Sequence, residues 1–298
     1  MKYISIAAIL IGVFVYADWQ EPVNLGSNVN SGDPDSDPAL SEDELTLYFS
    51  SKRPGGFGNY DIWSSVYSGG TWQPANNLGS NINSSDNDAE PGYYESTNPE
   101  LYFSSNRAGG YGFADIYISW YQGGSWSAAS NAGPVINSVL SDGEPALIHG
   151  PTTLFFSSNR DGGYGGYDVY MSTYSGGWQT PVNLGVGVNT GANEYGPTVT
   201  ADGVTLYFGS DRAGGYGGYD LYVATYDGSW GGVENVGSVI NTSDNEAHPF
   251  ISGDGYDLYF TSNRPGGYGS TDIWVSTWDA GDEAINPLSL GGIKATFR

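Results

Sequence analysis

Apolar and polar residues alternate along this chain in short runs, and after residue 17 none of them forms the three-to-four spacing of an amphipathic helix. One stretch shows the pattern. "TLYFGS" (205–210) is aromatic and β-rich, "YDLYVATY" (219–226) alternates, "PTVT" (197–200) is short and bounded by Pro197, and "WQTPVNL" (178–184) is a fourth run. Turn residues separate them: "ADG" or "GDG" between the first and second runs, a long glycine-rich loop between the second and third, and "SGG" or "DGS" between the third and fourth. The unit recurs. Trp19, Trp72, Trp126, Trp178 and Trp230 follow one another at 53, 54, 52 and 52 residues, and each opens the same succession of strands and turns.

A repeat of this length with four strands per copy predicts an all-β fold, a single five-bladed β-propeller with four-stranded antiparallel blades. The tryptophan repeat runs one strand out of phase with the blades. Residues 19–25 form a fourth strand with no first three before it, and the last copy stops after its third strand at "DIWVSTW" (272–278). The N-terminal strand is therefore expected to pair with the last blade and close the ring, which removes an exposed sheet edge. The propeller is expected over 18–279, with repeats starting near 19, 72, 126, 178 and 230, followed by a tail at 280–298.

The loops carry a family resemblance. "LYFSSNRAGGYG", "LFFSSNRDGGYGGYDVY", "LYFGSDRAGGYGGYDLY" and "LYFTSNRPGGYGSTDIW" resemble the WD40-like propeller repeat of the TolB type, in which an acid-x-x-Pro element and a Ser-x-Asp-Gly turn precede the aromatic strand. The resemblance covers all five repeats. It implies a propeller exported to the periplasm or beyond and used for binding or scaffolding, without naming a ligand.

Composition narrows the partners. Nine basic residues stand against thirty-three acidic ones, a formal charge of −24, which argues against nucleic acid and anionic membrane surfaces. Lys2, the apolar run "ISIAAILIGVFV" and "VYA" ending at Ala17 read as a signal peptide over 1–17. The expectation is a periplasmic or secreted monomer with no membrane insertion after cleavage. With no cysteine there is no disulfide, thiolate metal site or cysteine nucleophile.

In so acidic a chain the arginines stand out, because Arg53, Arg107, Arg160, Arg212 and Arg264 hold the same place in every repeat. Strand direction puts their loop on the same face as Asp35, Asp88, Asp142, Glu194 and Glu246. A forked ion pair with a carboxylate of the same or the neighbouring blade is the first reading, fixing blade to blade. Asp61, Asp115, Asp168, Asp220 and Asp272, opening the third strand, are read as partners for loop amides. Phe57, Tyr111, Tyr164, Tyr216 and Tyr268 follow a Gly-Gly pair on that face and form, with the arginines, a candidate ligand-binding rim. An aromatic platform flanked by polar groups suits a sugar ring. Covering of blade edges is the competing role for these rings.

No cofactor is expected, with calcium nominated by the acid runs at Asp33, Asp35, Asp37 and at Asp86, Asp88, Glu90, although neither fits the calcium-loop template. No catalytic residue is assigned. His149 and His248 are the two histidines, and no triad or histidine metal cluster can be assembled from them. An active site should break the fivefold pattern. The departures are Glu90, Glu144 and His248 beside their prolines, Gly196 at the equivalent place, and the turn "YYESTNPE" (93–100). The leading expectation is a non-catalytic binding or scaffold propeller recognising a protein or cell-surface ligand at the loop-rich face. A multivalent lectin-like propeller is the first alternative, and a glycoside-active enzyme with an axial carboxylate site the second.

Overall fold

The computed structural model describes residues 18–148 and 152–279; the expected signal peptide over 1–17, the tail 280–298 and His149 lie outside the described residues. Five small antiparallel sheets form a ring, a five-bladed β-propeller. The inner strands are Asp35–Leu40, Asp88–Tyr94, Asp142–Ile148, Glu194–Val199 and Glu246–Ile251. Each is followed outward by a second strand such as Thr46–Ser51, a third such as Asp61–Ser68, and a short outer strand. The outer strand of the fifth blade comes from the N-terminus. Asp18 and Trp19 pair with Asp279 and Trp278, and Val23 and Asn24 with Val275 and Trp274, closing the ring as the phase of the repeat predicts.

Packing lies between blades. Five apolar clusters each join the second and third strands of neighbouring sheets, as where Tyr48 and Ile62 of the first blade meet Leu101, Phe103 and Tyr117 of the second. The repeat tryptophans complete them. Trp19, Trp126, Trp178 and Trp230 each meet an aromatic ring of the preceding blade edge-on, at 5.8–6.4 Å between centroids.

Hydrogen bonds set how one blade hands over to the next. Asn30, Asn83, Asn137, Asn189 and Asn241 each pair with both backbone groups of a third-strand residue, accepting at 2.7–2.9 Å and donating at 2.9–3.0 Å, so the connection is pinned to the blade it leaves. A few residues on, the N–H of Asp35, Asp88, Asp142, Glu194 or Glu246 donates to a carbonyl at the start of that same third strand, at 2.8–3.0 Å.

The inner strands differ from the sequence reading in one respect. The fourth was expected to start at Pro197, but it starts at Glu194 and runs through a bulge: Tyr195 faces Gly209 and the next pair is Thr198 with Tyr207, so two residues oppose one. All five inner strands carry the same bulge. Proline is tolerated in them because the inner strand is a sheet edge whose proline nitrogen has no ladder partner to lose.

Trp19→Ala tests the closure. It removes a buried ring from the seam between the last two blades, and a loss of about 3–5 kcal/mol is expected, lowering Tm by about 10 °C; an unchanged melting temperature would show that the seam does not hold the ring.

Candidate active site

The bulge aims one residue of each blade at the axis. These are Asp37, Glu90, Glu144, Gly196 and His248, each just before the inner-strand proline and each left-handed, with φ between 49° and 58°. That conformation is natural for Gly196 and costs about 1–3 kcal/mol for each of the others. Backbone strain of this kind, gathered in one ring, marks a place where side-chain direction outweighs local stability.

The ring is wired in sequence. Thr261, Ser50 and Ser104, at equivalent places in second strands, accept from the N–H of Asp37, Glu90 and Glu144 of the next blade at 3.0, 2.8 and 3.1 Å. Oε2 of Glu90 accepts from the Ser104 hydroxyl and from the Glu144 N–H, the latter at 3.0 Å. Its Oε1 has no hydrogen bond among the described residues. Oε2 of Glu144 accepts from the Gly196 N–H at 2.6 Å, and Oδ2 of Asp37 from the Ser36 hydroxyl at 2.9 Å. His248 Nδ1 stands 3.2 Å from Oδ1 of Asp37 and 3.1 Å from Oε1 of Glu144, between the two rather than aligned with either. Gly196 makes room for it: a Cβ there would lie 2.8 Å from the His248 Cα.

Three carboxylates and one imidazole in a partly dry site do not titrate alike. Burial, with Glu144 and Asp37 close by, pushes Glu90 up from the usual carboxylate range to about 8, against the opposing effects of Ser104 and His248. Burial disfavours the charged form of His248, but Asp37, Glu144 and Glu90 together outweigh it and raise the imidazole to about 10. At neutral pH the ring thus holds a protonated carboxyl beside a histidinium.

Two cavities meet at this ring. The larger, about 520 Å³, is walled by all five inner strands and reaches the first-to-second-strand turns at Ser41, Glu44, Glu95 and Asp254. The smaller, about 340 Å³, lies on the loop-rich side against Tyr60, Asn87, Asn106 and Phe113. Asp37, Glu90 and His248 line both and so form the waist between them. The larger volume is that of a small-molecule or oligosaccharide site.

The residues singled out for the rim are placed as follows. Arg53, Arg160, Arg212 and Arg264 lie 2.6, 2.5, 3.1 and 3.2 Å from Asp35, Asp142, Glu194 and Glu246, and Arg107 pairs with Asp88. Every pair is inside one blade. The guanidinium also donates to a carbonyl of the incoming connection, such as Val29 or Ile136, and lies over two rings of its own sheet. Of the two pairings expected, the one with the neighbouring blade's carboxylate is set aside; each pair lies within one blade, and both partners reach the preceding blade through the incoming connection, where the acid also accepts from a backbone N–H, Asp88 from Ser84 and Asp142 from Ser138. Asp61, Asp115, Asp168, Asp220 and Asp272 are buried and accept from two loop N–H groups each, for Asp168 from Tyr164 at 2.6 Å and Gly165 at 3.1 Å. Phe57, Tyr111, Tyr164, Tyr216 and Tyr268 are 50–54 % exposed, so about half of each residue is open to solvent. The acid runs that nominated calcium are split three ways: Asp35 and Asp88 face arginines, Asp37 and Glu90 face the axis, and Asp33 and Asp86 lie in the connections. No cluster of three or more ligating side chains suited to a metal occurs among the described residues.

Sequence reasoning named the departures Glu90, Glu144, Gly196 and His248 but gave them no common geometry. It placed Asp37 in a calcium run. The signal was Gly196 itself: glycine at one of five equivalent positions, just before proline, betrays a backbone requirement that the other four residues must also meet.

No family model and no curated protein matches the chain. Among solved structures it is similar to an endo-arabinase from Bacteroides thetaiotaomicron (16 % identity, 86 % of this chain and 96 % of that one, TM-score 0.57). It is also similar to a family 117 glycoside hydrolase produced by the marine bacterium Zobellia galactanivorans (15 %, 92 % and 93 %, TM-score 0.54). TolB from Acinetobacter baumannii matches with 17 % identity over 82 % of this chain, at a TM-score of 0.53, and the chain spans about half, 55 %, of TolB's length. The propeller fold is what these likenesses show, and the TolB type is not singled out from the glycoside hydrolases. These neighbours overturn the expectation of a protein that is not an enzyme: the fold on which it leaned houses glycoside hydrolases equally well.

Two outcomes are expected. Arg160→Met leaves the fully buried Asp142 carboxylate without a counter-charge and should cost about 3–5 kcal/mol in urea unfolding, part of which Asp142→Asn added to it restores; equal stability of all three proteins would show that the pair does not secure the blade. The second concerns pH. Both Glu90 and His248 hold a proton more tightly folded than unfolded, so their stabilisation is complete below about pH 4.5 and 6.5 respectively and is lost as pH rises through about 8 and 10. His248→Gln should therefore melt several degrees below the parent at pH 6 and approach it at pH 10; a constant gap would contradict the charged imidazole.

Proposed function

We propose that the axial ring is the active site of an enzyme that cleaves glycosidic bonds. The observation that carries this reading is the convergence at the axis, on the lining of both cavities, of two acids in unlike surroundings: Glu90, which burial and neighbouring carboxyls raise to about 8, and Asp37, 3.2 Å from the His248 imidazole. Glycoside hydrolysis asks for that inequality, one acid to protonate the departing oxygen and one charged carboxylate for the other half of the reaction.

Glu90 is the acid. Its Oε2 is engaged by Ser104 and the Glu144 N–H, which leaves Oε1 to carry the proton toward the bond being broken. Asp37 is its partner, since it and Glu90 face both cavities and its Oδ1 is beside His248. His248 stands beside both Asp37 and Glu144, and burial together with the nearby Glu144 and Asp37 raises Glu90. The likeness of the fold to an endo-arabinase and to other glycoside hydrolases supports the reaction class and makes arabinan the first substrate to offer.

Release of reducing sugar from arabinan, xylan, mannan and glucans is the assay. Hydrolysis of at least one is expected, with kcat/KM falling above about pH 8 as Glu90 loses its proton, and Glu90→Gln should lower the rate by about 10²–10⁴. A folded parent protein inactive on every glycan, or a Glu90→Gln variant of parental activity, would sink the proposal.

A further inference from the structure

We propose that the five aromatic loops form a second site, a multivalent surface that binds uncharged polysaccharide around the loop-side mouth of the axial cavity. Phe57, Tyr111, Tyr164, Tyr216 and Tyr268 repeat on one face with 50–54 % of each residue open to solvent. Among the described residues these five rings stack on no other ring, and the four tyrosine hydroxyls have no hydrogen-bond partner. They do not build the core.

Their loops are nonetheless rigid. A buried aspartate holds the N–H of each aromatic residue and of the glycine after it, as Asp220 does for Tyr216 and Gly217 at 2.6 and 3.1 Å. That glycine abuts the next connection so closely that a Cβ on Gly217 would lie 1.7 Å from the Asp244 carbonyl oxygen, and Gly58, Gly112, Gly165 and Gly269 are confined in the same way. The protein thus fixes an unused apolar ring in place five times over. Presentation of this kind lowers the ordering cost of binding a ligand.

The ligand chemistry follows from the ring and its setting. A flat aromatic face accepts the apolar face of a sugar, and polar side chains of the same loops and connections, among them Asn59, Asn87, Asn106 and Asn263, supply donors and acceptors for hydroxyls. A net charge of −24 repels uronate and sulfated polymers. Five equal sites on one face suit a repeating polymer, on which individually weak contacts multiply. Asn106 and Phe113, next to the second loop, line the smaller cavity, so a chain held here lies over the mouth that leads to Glu90.

Affinity gel electrophoresis in arabinan, xylan, mannan or β-glucan, with alginate as the anionic control, tests this. The parent and Glu90→Gln should both be retarded by at least one neutral polymer and not by alginate. Tyr216→Ala alone should weaken retardation about 2- to 10-fold. The variant with all five rings changed to Ala should lose it by at least 100-fold while melting at the parental temperature. Equal retardation of the fivefold variant and the parent, or no retardation of the parent by any neutral polymer, overturns the surface. Hydrolysis without retardation would count against this inference alone, and retardation without hydrolysis against the proposed reaction alone.

Discussion

Each blade must be fastened to its predecessor and yet present its inner edge to a common axis, and a single short segment meets both demands. The acid that opens the inner strand donates its N–H to the preceding blade and gives its carboxylate to the arginine of its own. Two residues later the chain turns left-handed, and the side chain there has nowhere to go but inward. Blade docking and the chemistry of the axis are therefore separated by one residue. This close spacing divides each acidic run between two tasks. Asp35 and Asp37 are near neighbours in sequence, but the bulge sends one toward a guanidinium and the other toward the axis.

The fivefold wiring of the axis is incomplete, and where it lapses the chemistry appears. Ser50, Ser104 and Thr261 each satisfy the backbone of the next left-handed residue. Ser157 occupies the same place opposite Gly196, but the Gly196 N–H goes to Glu144 instead and the Ser157 hydroxyl is left buried without a partner. At the next step the second-strand position is Gly209, with no hydroxyl at all. Those two lapses fall at Gly196 and at His248. A carboxyl-bearing residue at position 196 in place of glycine would meet the His248 backbone and add a fourth acid to a ring in which one imidazole already faces three. Gly196 and His248 are best understood as a joint departure that lets a symmetric scaffold carry an asymmetric site.

Much of the architecture was legible because it repeats. Tryptophan spacing, strand lengths and turn residues fixed the blade count, and the phase of the repeat foretold that residues 19–25 would form the outer strand of the last blade, where Trp19 faces Trp278. The arginines and their acids were also visible as a set, though not which blade each acid would serve, since that depends on the backbone turning between Asp35 and Pro38. The axial site was the least legible part for the same reason that the fold was easy. Repetition identifies what every blade needs, whereas the site consists of what the blades do not share: Asp37, Glu90 and Glu144, then Gly196, then His248. Their convergence comes from a bulge that propensity rules do not announce, and the protonation of Glu90 comes from burial at the axis, helped by carboxyl neighbours about 50 residues away along the chain.

The two faces of the molecule divide the remaining functions by physical character. On the loop-rich face, rigid loops hold aromatic rings half in water, a surface suited to long ligands and weak repeated contacts. At the axis, charges are few, buried and unequal, which suits one bond at a time. Binding energy gained on the outer rings from parts of a polymer that do not react can offset the cost of drawing one linkage into the strongly desolvated waist, where Glu90 keeps its proton because water is scarce. The same burial that makes Glu90 an acid would make it a poor stand-alone binding group. Under the two proposals the axis therefore gains from the aromatic rim, which is built on loops whose backbone buried aspartates and confined glycines fix.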